Sequence, residues 1–142
     1  MQDKGPNPSV LNIEQVTLDN SNYRTTIWTG KNLQLTVMSI EPGHDIGLEV
    51  HNDNDQFLRI EAGAAKVEMG SSVDNLTAQE AMADEAIFIP AGSWHNLTCI
   101  SDTPLKLYSI YAPSHHPHGT IHTTRAEADA AEAAGHNEPT SL

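Results

Sequence analysis

From Val10 to Tyr111 the apolar residues fall into short runs cut by turn formers, with no helical period between them. "TTIWTG" (25–30) is followed by "NLQLTVMSI" (32–40), then by "LEVH", "QFLRIEAG", "AKVEMG", "EAIFIP", "HNLTCIS" and "LKLYSIYA". Several alternate apolar and polar positions, as strands buried on one face do. "EPGHDIG", the run Asn52-Asp53-Asn54-Asp55 and Pro90-Ala91-Gly92 supply turns between them. Strands this short and this regularly spaced predict an all-β sandwich or barrel. Strands are also expected over 10–18 and 25–29, whereas 71–83 is expected to be a loop leading into an irregular segment. The first nine residues, with Gly5, Pro6 and Pro8, are expected to form a flexible arm.

After Pro113 the pattern changes. "SHHPHGTIHT" is a His-rich loop, and "TRAEADAAEAAG" predicts a short helix capped by Thr124 and Glu127 and ended by Gly135. That helix carries little large apolar surface, so weak docking is expected. The domain organisation expected is an arm over 1–9, a barrel over 10–112, and a loop plus Ala-rich helix over 113–142.

Strand parity turns this pattern into a site. Glu49 and His51 stand two apart and should share a face, and Gln56 opens the strand after the turn. If Gln56 points inward, so do Leu58 and Ile60, while Arg59 faces out. If His95 points inward, Leu97 and Cys99 follow it. The expected site is thus a polar cluster over an apolar floor lined by Leu58, Ile60, Leu97 and Cys99. Leu48, Val50 and Phe57 would then face outward and need a cover from the second sheet or from another subunit.

The two stretches together read Gly43-x5-Glu49-x-His51-x4-Gln56-x6-Gly63 and Asp84-x5-Pro90-x-Gly92-x2-His95-x3-Cys99. This punctuation resembles the two motifs of the cupin superfamily, over roughly residues 33–111. The resemblance implies a jelly-roll barrel and a metal site at Glu49, His51, Gln56 and His95. His51 and His95 keep the family residue types; Glu49 stands where a His is usual, Gln56 where a Glu is usual, Asp84 where a Gly is usual and Cys99 where an Asn is usual. The ligand charge is unchanged, because the carboxylate has in effect moved from the third position to the first. Two imidazoles with two oxygens suit Fe, Mn, Co, Ni or Zn as divalent ions. Gln56 would be the weakest ligand, or else a hydrogen-bonding group behind the other three. The alternative to a metal is a hydrogen-bonded polar cluster or a pocket that recognises a ligand directly.

Charge and composition narrow the partners. Seven Lys+Arg against 19 Asp+Glu give a net charge of −12, which disfavours nucleic acid and anionic membrane surfaces. Cys99 is the single cysteine, which suits a reducing cytoplasm and packs more naturally as core than as a nucleophile. The N-terminal residues show no secretory signal pattern. Chains resembling this one are often labelled mannose-6-phosphate isomerase-like, but Arg24, Arg59 and Lys66 have no phosphate-clamp context. Cupins that act on unsaturated uronates also place Gln at the third position, though with His at the first. The expected function is a metal-binding cupin acting on a small polar metabolite by isomerase, lyase or oxygenase chemistry. The alternative is a non-catalytic binding or sensor module, and a homodimer is expected in either case. Tyr108 and Tyr111 face opposite sides of the last strand, so at most one reaches the site. Among His115, His116, His118 and His122 no regular metal spacing exists, yet folded across the mouth as a lid they could bring an imidazole to the substrate.

Overall fold

The computed structural model describes residues 2–134. In chain order the elements are α1 (Ile13–Asp19), β1 (Arg24–Thr29), β2 (Gln34–Ile40), β3 (Asp55–Ala62), β4 (Ala64–Gly70), β5 (Leu76–Met82), β6 (Ala86–Ile89), β7 (Trp94–Cys99), β8 (Leu105–Ala112), β9 (Ile121–His122) and α2 (Arg125–Ala133). One sheet has the order β6-β3-β8-β2-β1-β9 and the other β5-β4-β7, with every pairing antiparallel. The strand alternation predicted from the sequence is realised: Gln56, Leu58 and Ile60 are buried on β3, as are His95, Leu97 and Cys99 on β7.

The inner face of the larger sheet is layered, since residues paired across neighbouring strands share a face. Gln34, Tyr111 and Gln56 stand side by side on β2, β8 and β3, with Thr36, Ser109 and Leu58 in the next row. Below these come Met38, Leu107 and Ile60, which belong to the apolar core with Val67, Leu97 and Cys99 from the smaller sheet. Polar rows lie at one end of the barrel and apolar rows fill the other.

Three segments differ from the sequence reading. Residues 13–19 form a helix and not a strand. Asn12 accepts the Gln15 backbone N–H at 3.0 Å as its N-cap. Ile13 and Val16, three apart, then pack on Ile27, Leu35 and Val37 of the sheet's outer face. Residues 76–82 form a regular strand paired along its length with β4. Its residues are mostly exposed, so little apolar alternation marked it. Residues 2–9 are tied down where a loose arm was expected. Asp3 is buried, and its carboxylate accepts the Thr29 hydroxyl at 2.6 Å and the backbone N–H groups of Gly5 and Gly119. The Gly135 end of the C-terminal helix lies outside the described residues.

The segment carrying Glu49 and His51 is not a regular strand but an irregular edge along β7. Asp45 pairs with Thr98, yet Glu49 pairs with His95. Four residues on one side thus span three on the other, which is a β-bulge. Gly47 sits in it at φ +87°, a conformation that costs glycine nothing. An added Cβ there would also approach Arg125 of α2 to 2.7 Å. The bulge resets the register so that Ile46, opposite Leu97, and Glu49, opposite His95, both meet the barrel interior. Asp84, where cupins usually carry glycine, is the one non-glycine residue at positive φ (+74°) among the described residues. Aspartate tolerates that region better than most side chains.

Candidate metal centre

Glu49 and His95 exchange two backbone hydrogen bonds, at 3.0 and 2.9 Å, which fixes their side chains on one face. His51 follows two residues on, its carbonyl accepting the Gly92 N–H at 2.8 Å. The Pro90–Gly92 turn and the strand it starts are thereby held against the first motif. One donor atom from each of Glu49, His51 and His95 lies within 4.8 Å of the others. Glu49 Oε1 is 3.3 Å from His51 Nε2 and 3.5 Å from His95 Nε2.

The protonation pattern decides what this cluster can hold. His95 is buried, and its Nδ1 lies 3.0 Å from the Ser93 carbonyl, which can only accept. Nδ1 therefore carries a hydrogen; unprotonated at Nε2 the ring would present a lone pair to the Glu49 carboxylate, and protonated there a second N–H. Nε2 is a buried atom with no hydrogen-bond partner. Burial raises the Glu49 pKa, but hydrogen bonds and charge from His51 and His95 outweigh this and hold the carboxyl far below its ordinary range. A buried carboxylate facing two imidazole nitrogens calls for a cation among them, either a metal ion or the imidazoles' own protons. Separations of 3.3 and 3.5 Å suit donors that share an ion at roughly 2.0–2.2 Å. The residues fit a divalent metal, with the second nitrogen of His95 anchored to a carbonyl as metal-ligating histidines usually are.

Gln56 differs from the expected ligand set in its contacts. Its side-chain N–H₂ donates to Ser109 Oγ at 2.8 Å, while Oε1 is buried without a partner. The four apolar residues expected to line the pocket are not in its wall: Leu58, Ile60, Leu97 and Cys99 are at most 2% exposed and belong to the closed core. The cavity beside the cluster, about 30 Å³, is lined instead by Tyr23, Arg24, Ile46, Glu49, His51, Tyr111, His115, His116 and the α2 residues Ala128, Asp129 and Glu132. Parity hides much of this because, beyond Ile46, Glu49 and His51 of the first motif and Tyr111 of β8, the wall comes from a loop, a helix and the start of the first strand, which belong to neither motif.

The His-rich loop does cross the mouth. The His115 ring lies 4.1 Å from His51 and stacks on Tyr111 at 5.2 Å, between centroids. Tyr111 is the inward tyrosine of β8, as parity required. Gln34 fixes the loop: its Oε1 accepts the backbone N–H groups of His115 and His116 at 3.1 and 2.8 Å, and its Nε2 donates to the His116 carbonyl at 2.7 Å and to Thr29 Oγ1 at 3.0 Å. Over the same mouth α2 buries Ala128, and its Arg125 pairs with Asp45. The helix expected to dock weakly buries Ala128 and is tied at its first turn by that ion pair.

His115 gives the site a pH response. Burial, then the nearby His51, push its pKa down to about 4 from an ordinary 6.5. Below 6.5 the unfolded chain takes up a proton that the folded chain refuses, so stability falls with pH until about 4. In chelator-treated protein we expect a loss on the order of 2–3 kcal/mol across that window. Urea midpoints from pH 7 to 4 should show it, and His115→Asn should flatten the curve between 6.5 and 4. An equal slope in the variant would assign the acid sensitivity elsewhere.

Fold and site together define the class, and the chain belongs to the cupin family: the Cupin domain model matches residues 36–111. It is 54% identical over 133 residues to the uncharacterized protein YrkC of Bacillus subtilis (strain 168), covering 93% of this chain and 72% of that one. It is 54% identical to BH2720 of Bacillus halodurans, whose crystal structure superposes with a TM-score of 0.91 over 92% of this chain and 99% of that one. KdgF from Halomonas sp. matches at TM-score 0.56 and 16% identity, over 64% of this chain and 77% of that one, and shows the fold alone.

Proposed function

We propose that the protein holds one divalent transition metal through Glu49, His51 and His95, with Gln56 Oε1 as a fourth candidate donor, and acts there on a small polar metabolite. The observation that carries this reading is the buried, unpartnered His95 Nε2 turned toward an ionised Glu49. The metal would be Fe, Mn, Co, Ni or Zn, and when bound it would supply Lewis-acid polarisation of a carbonyl or hydroxyl oxygen. The chain's own residues do the rest. Ser93 keeps the His95 tautomer fixed, and Tyr111 and His115 shape the mouth around the bound molecule. His115, neutral near pH 7, offers one N–H donor and one lone pair. The chemistry would be of isomerase, lyase or oxygenase type; the alternative is a binding or sensor cupin that uses the same pocket without turnover. The partly exposed apolar strip of Phe57 and Tyr108, with Phe88 at 69% exposure, supports a homodimer, and the composition supports a cytoplasmic location.

Elemental analysis of protein purified without chelator tests the metal. About one ion per chain is expected, removable by chelator and restored by a single divalent salt. A chain that neither carries nor takes up metal would leave only the ligand-binding reading.

A further inference from the structure

We propose that Arg24 anchors a small monocarboxylate beside the Glu49–His51–His95 cluster, so that the ligands of this site are short carboxylic acids. The proposal names the substrate class of the metal site and in that respect rests on the metal reading.

Arg24 opens β1, paired with Met38 on one side and His122 on the other. Met38 belongs to the inner core, so Arg24 faces the interior too, and only 8% of it is exposed. Buried guanidinium groups are as a rule paired with carboxylates. Among the described residues no carboxylate lies within ion-pair distance of Arg24. Its NH1 lies 3.3 Å from His122 Nδ1, and its charge sits 5.2 Å from the Tyr23 ring centroid. His122 cannot neutralise it, because an imidazole is neutral or positive, and burial and Arg24 itself push this one toward the neutral form. The Arg24 Nε is buried with no hydrogen-bond partner.

The missing counter-charge has a place to sit. Arg24 lines the same cavity as Glu49, His51, Tyr111 and His115. It lies close enough to lower the pKa of Tyr111 and of His115, although burial is the larger influence on both and raises that of Tyr111. Nε with a terminal N–H is the planar edge that meets a carboxylate in two parallel hydrogen bonds. Asp129 and Glu132 at the rim are both exposed, and Asp129 is within 3.4 Å of Arg125 Nε. They do not compensate Arg24, and their charge disfavours a dianion such as a phosphate ester. A cavity of about 30 Å³ limits the ligand further. It holds roughly one water when closed, so the α2 and His115–His116 cover must give way even for a short acid, and the smallest acids require the least opening.

The experiment uses the full chain loaded with Mn(II), checked for metal content, and titrated calorimetrically with glycolate and pyruvate against their neutral amides. The acids are expected to bind at least about 30-fold more tightly than the amides, and Arg24→Gln should erase that preference while metal content stays unchanged. Arg24→Lys, which keeps the charge but not the two-pronged edge, should recover only part of it. Acids and amides binding alike to the native protein, or a preference that survives in Arg24→Gln, would overturn the proposal. The same titration on metal-free protein separates the two readings: Arg24-dependent acid binding to a chain that takes up no metal would sink the metal site and keep the carboxylate anchor. If Arg24→Gln does not fold, the acid-to-amide comparison on the native chain and Arg24→Lys still decides.

Discussion

His95→Ala should reduce bound metal from about one ion per chain to a small fraction of that, with the barrel intact. Altering residues that merely orient a ligand costs metal sites about 10–100-fold in affinity, so removing a ligand should cost at least about 100-fold. The fold should survive because β7 keeps its pairing with β4 and, through main-chain atoms, with the 45–49 segment. Thermal unfolding provides the second readout. An ion present at about 100 times its Kd adds roughly 2.7 kcal/mol to the native state, so adding Mn(II) or Zn(II) should raise the Tm of the native chain and leave that of the variant unmoved. Unchanged metal content in His95→Ala would mean that the ion binds elsewhere and that the Glu49–His51–His95 cluster is a polar network without a cation.

Gln34→Leu should be strongly destabilising although it touches no proposed metal donor. It keeps volume and apolar fit but strips partners from the backbone N–H groups of His115 and His116, the His116 carbonyl and Thr29. Gln34 and Thr29 are wholly buried, so water cannot replace these bonds without opening the mouth. Each orphaned group costs about 1–3 kcal/mol, and after local relaxation we expect about 2–4 kcal/mol in total. Urea unfolding measures the loss, and hydrogen exchange should show the 115–116 amides opening well before the β2–β8 ladder. A variant as stable as the parent, with those amides still protected, would show that α2 and the loop hold themselves closed without Gln34. The same residue links the loop to chemistry, since the loop it fixes carries the His115 ring that meets His51 and Tyr111.

Most of the barrel was legible because alternation on a half-buried strand is local information. Leu58 and Ile60 follow Gln56, and Leu97 and Cys99 follow His95, whatever the rest of the chain does. Residues 76–82 were illegible for the same reason: a strand with one buried residue carries no alternation to read. The 13–19 helix was missed because seven residues give barely two turns of period, and its Asn12 cap signals a helix only weakly by itself. The apolar floor was correctly ordered but wrongly used, since parity tells which way Leu58 and Ile60 face and not whether anything stays open above them.

The sequence by itself determined which residues could form the site. Glu49, His51 and His95 are chemically suited to a divalent ion, and their place between turn glycines reports a β-barrel. Only the tertiary structure decided that they meet. Simple alternation from Ile46 would have turned Glu49 away from the interior, and the bulge at Gly47, which exists only in the pairing with β7, brings it back. Likewise no local pattern distinguishes Arg24 from a surface arginine, or His115 from any histidine in a polar loop. Their placements come from partners about 100 and 80 residues away, His122 and Gln34, and contacts at such separations are a property of the folded chain alone.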